Sequence, residues 1–222
     1  QLSKHIQSKK KNKILLIQNK ALELSLFLSI PASVALVVGS EYITSALFGY
    51  GSFNEEAVQN SAKALYFFAL GLPAFSLIKI LSSFFFANHN TKTPFYISLL
   101  SVALNIVISV YYFKEIGFII IPIATSISSW INGILLFIFL KKDNLFNFNK
   151  EFIFRFIKII FTSVLMGILF NFLLIYFKDQ LVFEQNMKSF YLILSVMMGL
   201  LFYLFISYYI KAFKISDFKL NY

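Results

Sequence analysis

Long apolar blocks, each able to cross a lipid bilayer, dominate this sequence. A transmembrane helix needs about 20 apolar residues to span a hydrocarbon core of roughly 30 Å. The blocks are residues 22–39, 62–87, 94–113, 117–140, 152–177 and 190–210. The longest connections, 40–61 and 178–189, are too short to fold as separate domains, and 41–53 is expected to lie along the outer interface. The pattern predicts an all-α integral membrane protein with six transmembrane helices.

Composition agrees with a chain whose solvent is lipid. Hydrophobic residues make up 59% of the 222 positions and charged residues only 14%, against about 25% charged in soluble domains. The 29 Phe and 12 Tyr could hardly all be buried in a soluble core of this size. The net charge of +10 does not indicate a nucleic-acid partner, because the lysines stand between apolar blocks and form no basic face.

The distribution of lysines predicts the orientation of the chain. Loop 40–61 contains acidic residues and no Lys or Arg. Segments 1–20, 88–93 and 141–151 are basic. Because cation-rich loops stay in the cytoplasm, both termini are expected there.

Residues for catalysis or metal binding are scarce. Cysteine is absent, the only histidines are His5 and His89, and the loops are short. No nucleophile–base pair, metal cluster or phosphate loop can be assembled from this set. We therefore expect neither an enzyme nor a cofactor.

Polar residues inside the apolar blocks are the candidates for function. Lys79 either faces a cavity or partner, or extends its stem to the headgroup region, and both interpretations stay open. Lys20 and Glu23 share a helix face, which is typical of an interfacial ion pair. Asn105, Asn132 and Asn171 lie near the middle of three blocks, where helix packing is the default role and a cavity role the alternative.

Prolines interrupt three blocks. Pro31, Pro73 and Pro122 each lie inside an apolar block, where a proline releases a backbone carbonyl and permits bending. Static spans also contain prolines, so this signal does not by itself indicate a transporter.

One stretch resembles a known family. The run ALYFFALGLPAFSLIKILSSFFFANHNTKTP (64–94) is similar to a signature of the MurJ/MviN lipid II flippases, in which a broken span with a lysine precedes a D-T-[RK]-T-P turn. Asn90 stands where the family usually has an acidic residue. The neighbouring stretches ISLLSVALNIVIS (97–109) and IGFIIIPIATSISSWINGILLF (116–137) also resemble the family.

The resemblance implies a division of the chain. It implies a basic cytoplasmic segment at 1–20, which ends a preceding helix and includes a linker. Four helices of a second lobe follow at 21–142, then two C-terminal helices and a tail at 143–222. The chain would be the C-terminal part of a two-lobed, fourteen-helix flippase fold, whose N-terminal lobe is a further partner.

The resemblance also implies a function. The chain would help to flip lipid II, a polyprenyl-diphosphate-linked peptidoglycan precursor, across the bacterial inner membrane by alternating access. The candidate substrate-binding residues are Lys20, Lys79, Lys92, Asn105 and Asn132. His89 would accompany Lys92 at the cytoplasmic entry, and membrane lipids would surround the protein.

Two other functions stay open from the sequence. One is that of a related polysaccharide-lipid flippase or antiporter of the same exporter superfamily. The other is that of a membrane scaffold subunit that transports nothing.

Overall fold

The computed structural model describes residues 2–212, with side chains from residue 14 onward, and every regular element in this range is helical. The side chains of residues 1–13, in the predicted cytoplasmic segment 1–20, and all of residues 213–222, in the predicted cytoplasmic tail, lie outside the described residues. The α-helices are α1 (Leu2–Phe48), α2 (Glu55–Ala87), α3 (Lys92–Ile116), α4 (Ile120–Lys142), α5 (Lys150–Tyr176) and α6 (Lys188–Tyr209).

Five helical segments of the described chain are long and apolar enough to cross a membrane. Four of them correspond to α1 from Ile14 on, α2, α5 and α6, and the fifth is the 51-residue run Lys92–Lys142. That run contains α3, a short 3₁₀ turn (Gly117–Ile119) and α4. Gly117 has a φ of +75°, a backbone conformation that favours glycine, and the chain reverses its direction at this turn. The amide of Asn105 in α3 donates to Thr125 in α4 at 3.0 Å, so the two helices lie side by side.

Helix α1 is longer than the apolar block that predicted it. Its 47 residues correspond to about 70 Å, more than twice the thickness of the hydrocarbon core. The expected boundary near residue 20 is absent, because no Gly or Pro precedes Pro31 to break the helix. The segment 41–53, predicted to lie along the interface, continues α1 as far as Phe48 and turns only at Gly49.

The two ends of the helices differ in charge. We call one the carboxylate end, which has the connections after α1 and α5 with Glu55, Glu56 and Glu184 nearby. The other is the lysine end, which has the connections after α2 and α4 with Lys92, Lys141, Lys142 and Lys150 nearby. Asparagine caps begin α2 and α5: Asn54 accepts from Ala57 N at 2.9 Å, and Asn149 accepts from Phe152 N at 2.6 Å.

Helix α1 lies at the centre of the packing and contacts α2, α5 and α6, while α4 packs against α2 and α3. Buried apolar side chains form a cluster at each end and one between them. The lysine-end cluster includes Leu22, Leu81, Phe84, Leu136, Phe146 and Phe152. The middle cluster contains Phe27, Ile159, Met166, Tyr203 and Ala212. The carboxylate-end cluster contains Ala46, Phe170, Leu174, Leu181 and Leu192.

Candidate functional site

An apolar groove lies between α5 and the helices α1, α2 and α4. It has a volume of about 660 Å³. Each helix contributes side chains at helical spacing: Leu22, Leu26 and Ile30 from α1; Pro73, Leu77 and Leu81 from α2; Trp130, Gly133, Ile134 and Phe137 from α4; and Phe152, Ile153, Phe156 and Ile160 from α5. The lining is almost wholly hydrocarbon and aromatic, so the groove suits an apolar chain.

The groove lies in the lysine-end half of the molecule. Phe148 of the α4–α5 connection lines it, and its ring stacks on Phe152 with centroids 4.7 Å apart. Exposed Lys141, Lys142 and Lys150 stand at the helix ends beside this connection. An apolar cleft therefore ends close to a group of cations.

Side chains of neighbouring helices bind the carbonyls near Pro73. A proline lacks the N–H that would bind the carbonyl four residues earlier, which is Ala69 here. Ser33 Oγ of α1 donates to Ala69 O at 2.6 Å, and Trp130 Nε1 of α4 donates to Leu70 O at 3.0 Å. The proline break thus holds α1, α2 and α4 together.

A similar arrangement surrounds Pro31 in α1. Pro31 has no N–H to donate to the carbonyl four residues earlier, which is Phe27 O. The hydroxyl of Tyr203 in α6 donates to it at 2.8 Å, and the two rings pack with centroids 5.0 Å apart. Tyr203 is only 2% exposed. The sequence predicted that the prolines release carbonyls; Tyr203 carried no signal as the partner.

Two of the five predicted substrate-binding residues share a cleft. Asn105 and Asn132 line a cavity of about 260 Å³ between α3 and α4, with Ser98, Ser101, Val102, Thr125, Ser128 and Ser129. Asn105 is used in packing, since its amide donates to Thr125 and, at 3.4 Å, to Ser128. Asn132 Oδ1 and Ser101 Oγ are buried without a hydrogen-bond partner among the described residues. The third asparagine predicted inside a block, Asn171, is exposed on α5.

The three predicted lysines lie on three different helices, and none of them lines that cleft. Lys92 is the exposed first residue of α3 and Lys20 is half-buried on α1. Lys79 is exposed on α2, two residues from Leu77. Two residues correspond to about 200° around a helix, so Lys79 is on the face of α2 opposite to the groove.

Glu23 joins α1 to α5. Its carboxylate pairs with Arg155 Nη1 at 2.9 Å, and both side chains are mostly buried, at 14% and 15% exposed. The sequence pattern paired Glu23 with Lys20 and did not indicate this bond across 132 positions. Asn19, one turn earlier, binds the α4–α5 connection by donating to Asn147 O at 2.9 Å.

Lys188 is buried, although it belongs to the connection 178–189 that the sequence predicted between two apolar blocks. It is 1% exposed at the start of α6. Its ammonium donates to Gly49 O and Phe183 O, each at 2.6 Å. The rings of Tyr50 and Phe183 flank the ammonium at 4.3 Å and 4.4 Å from their centroids. Its position beside an apolar block was the only sign of this in the sequence.

Comparisons with known proteins agree with one another. Residues 1–192 match the family described as Lipid II flippase MurJ. A relative from Rickettsia prowazekii, described as a probable lipid II flippase MurJ, is 34% identical over 182 residues, which are 82% of this chain and 35% of the relative. One from Thermotoga maritima with the same description is 41% identical over 143 residues, 64% of this chain and 28% of the relative.

A solved structure has the same arrangement of helices. It is described as lipid II flippase MurJ in an inward closed conformation, and it superposes with a TM-score of 0.72 at 28% identity. The match covers 93% of this chain and 42% of the solved one. This chain therefore spans less than half of the length of the relatives that it matches. Its sequence profile and its fold both indicate a multi-pass membrane protein. The chain belongs to the MurJ lipid II flippase family.

Proposed function

We propose that this chain is part of a transporter that flips lipid II from the cytoplasmic to the periplasmic leaflet of a bacterial inner membrane. The observation that carries the proposal is the match to the MurJ family over residues 1–192. The mechanism is alternating access, in which a headgroup cavity opens first to one side of the membrane and then to the other.

The apolar groove supports a role in holding the lipid tail. A polyprenyl chain is a flexible hydrocarbon that would exchange bilayer lipid for the aromatic and aliphatic wall of Leu77, Phe137 and Phe156. The exposed lysines beside the groove would attract the diphosphate at the membrane surface. Tail and headgroup would thus meet different chemistry at the same end of the protein.

The candidate residues for binding the lipid headgroup are those predicted from the sequence: Lys20, Lys79, Lys92, Asn105 and Asn132. Because Lys79 lies across α2 from the groove, it would meet the headgroup only in a cavity closed by further chain. That requirement agrees with a partner N-terminal lobe, and with a chain that covers 35% of the Rickettsia relative.

We further propose that the chain crosses the membrane six times, with both ends in the cytoplasm. The 25-residue α3 and the 23-residue α4 are each long enough to cross once. The lysine end would then face the cytoplasm. The chain would form the C-terminal part of a fourteen-helix, two-lobed fold.

Rescue of cells depleted of their own lipid II flippase tests the proposal. We define the Rickettsia chimera as the Rickettsia prowazekii relative in which this chain replaces its matching segment. The chimera should restore growth and the exposure of lipid II on the outer leaflet. This chain expressed alone should not, because it would provide only one wall of the headgroup cavity.

The two arms separate the possible errors. Rescue by the chain alone would show that a second lobe is not needed. A chimera that reaches the membrane at the level of the parental Rickettsia protein, but does not restore lipid II exposure, would contradict the proposed substrate.

A further inference from the structure

The burial of the Lys188 ammonium is unusual. Lysine is almost never fully buried unless its charge is paired, yet among the described residues no carboxylate lies within 4.0 Å of this ammonium. Its position in the first turn of α6 is also unfavourable, because the helix dipole is positive there. Other lysines of the same end, Lys63 and Lys178, are exposed. The burial of Lys188 therefore calls for a specific role.

Backbone carbonyls and aromatic rings surround the ammonium of Lys188. The two carbonyls come from different connections: Gly49 follows α1 and Phe183 precedes α6. The rings of Tyr50 and Phe183 present their faces to the same ammonium, an arrangement that stabilises a cation where water is excluded. Lys188 thus bonds two loops to each other through one charge.

The neighbouring residue strengthens the link. Ser189 Oγ donates to Ala46 O at 2.6 Å and lies 2.7 Å from the hydroxyl of Tyr50. Ala46 belongs to the last turn of α1, so the start of α6 bonds both to α1 and to the turn that follows it. We call this set (Ala46, Gly49, Tyr50, Phe183, Lys188 and Ser189) the Lys188 clasp.

Only glycine fits at residue 49 while the clasp is closed. A Cβ there would lie 2.6 Å from Ser45 O, 2.8 Å from Phe183 Cε2 and 3.1 Å from Lys188 Nζ. The first contact is with backbone and cannot be relieved by a side-chain rotation. Gly49→Ala is therefore a way to open the clasp while Lys188 itself remains.

The clasp and the groove lie at opposite ends of the α5–α6 pair. At the carboxylate end the pair is bonded to α1, whereas at the lysine end α5 stands across the groove from α2 and α4. The clasp therefore holds fixed the far end of the helix that forms one wall of the groove.

We propose that Lys188 is a positioning residue for transport, which keeps the α5–α6 pair attached to the end of α1 while the protein changes between its two open states. This inference rests on the proposed function. The predicted consequence is that opening the clasp impairs transport although Lys188 touches no substrate.

Amine labelling tests whether the clasp forms in the membrane. In vesicles containing the Rickettsia chimera, a water-soluble amine-reactive reagent should modify Lys178 at least about tenfold faster than Lys188, since the latter reacts only when the clasp opens. Gly49→Ala should raise the labelling of Lys188, and Ser52→Ala, in the exposed part of the same turn, should not. Equal labelling of Lys178 and Lys188 in the parent would overturn the proposal.

Transport tests what the clasp does. Lys188→Met should lower lipid II exposure at least about fivefold at equal membrane levels, while Lys178→Met should not, as expected when a buried tether is lost and a solvated charge is not. This chain has no cysteine, so in a chimera whose Rickettsia part has had any cysteines replaced, Tyr50→Cys and Ser189→Cys can be joined specifically by a short bifunctional thiol reagent in the Lys188→Met background. Cross-linking should restore transport, which a residue that binds substrate would not allow.

The results distinguish the two proposals. If Lys188 is protected but Lys188→Met transports normally, the positioning role is wrong and the proposed function stands. If the parent chimera reaches the membrane at the level of the parental Rickettsia protein but does not transport, the proposed function fails, and the positioning role fails with it.

Discussion

The two ends of the α5–α6 pair are joined to the rest of the protein in different ways. At the carboxylate end, polar groups make the joint: the buried ammonium of Lys188 and the hydroxyl of Ser189 donate to carbonyls at the end of α1, and the Tyr50 hydroxyl lies 2.7 Å from that of Ser189. At the lysine end, Arg155 and Asn19 bond α5 and the α4–α5 connection to α1. Across from α2 and α4, α5 presents apolar side chains to the open groove.

This difference shows which part of the fold can exchange its contacts. A buried hydrogen bond to a carbonyl leaves that carbonyl unsatisfied when it opens, which costs about 1–3 kcal/mol. An apolar wall in a membrane meets hydrocarbon whether it faces a protein helix or a lipid chain. The carboxylate end is therefore built to stay closed, whereas the groove at the lysine end can accept a chain at little cost.

A side chain that fills the groove should produce the largest loss of lipid II exposure. A Cβ at Gly133 would meet Ile78 and Leu77 at 3.9 Å and 4.0 Å, ordinary contact distances. Gly133→Ala should therefore be tolerated, whereas Gly133→Phe should put a ring where the lipid tail is expected. We expect Gly133→Phe to reduce lipid II exposure in the Rickettsia chimera about tenfold or more.

Gly133→Ala is the matched control, since it changes the same backbone position without filling the groove. Similar transport by the two variants, at equal membrane levels, would mean that the groove does not hold the tail. The difference between the two ends would then reflect helix packing and not the binding of a lipid tail.

Lys79 provides the next test, on the other face of α2. If its charge attracts the diphosphate, Lys79→Ala should reduce lipid II exposure about tenfold, which corresponds to the weaker end of the range for one charge-assisted contact. Lys79→Arg should preserve much of it. If the side chain only extends to the headgroup region, both variants should transport like the parent, and the lysine end would act through its apolar groove and surface cations.

Much of the fold could be predicted because lipid imposes simple rules on a sequence. Blocks of about 20 apolar residues, separated by short connections of which alternate ones are rich in lysine, indicate the helices of a membrane protein. The motif around Pro73 and Thr91–Pro94 indicated the family, which the comparisons confirm. The exact helix ends were less predictable: α1 passes through residues 20 and 40 because polar residues there continue a helix as well as apolar ones do.

Contacts between distant residues could not be predicted from the sequence. Lys188 resembles any loop lysine until Gly49 O and Phe183 O are placed beside it. Arg155 and Glu23 lie 132 positions apart, and nothing local in the sequence joins them. The groove escaped prediction for a related reason: in a chain with 59% hydrophobic residues, helix faces that line a groove have the same composition as faces that meet lipid.

Breaking the Glu23–Arg155 pair should have an intermediate effect, which is a loss of stability. Removing one partner of a fully buried pair costs about 3–5 kcal/mol, and an exposed pair contributes about 0–1 kcal/mol. Because these side chains are 14–15% exposed, we expect Glu23→Gln to lower the free energy of unfolding by about 1–3 kcal/mol. Unfolding of the purified chain in detergent measures this. Adding Arg155→Met should then cost less than it does in the parent, and fully additive losses would show that the two groups do not interact.

Tyr203 should produce the smallest effect, but one that tests the middle of the α5–α6 pair most specifically. Tyr203→Phe keeps the ring against Phe27 and removes only the hydrogen bond to Phe27 O, so we expect a loss of about 0.5–1.5 kcal/mol in unfolding free energy. Pro31→Ala restores a backbone N–H four residues after Phe27, which can donate to Phe27 O. In that background the carbonyl gains a helical donor, and Tyr203→Phe should be nearly neutral. Ser33→Ala, which acts on the Pro73 break instead, should cost the same with or without Pro31.

If Tyr203→Phe costs as much in the Pro31→Ala protein as in the parent, the hydroxyl does not act by satisfying the carbonyl that the proline released. The attachment of α6 to α1 would then depend on ring packing at this level and on the Lys188 clasp at the carboxylate end.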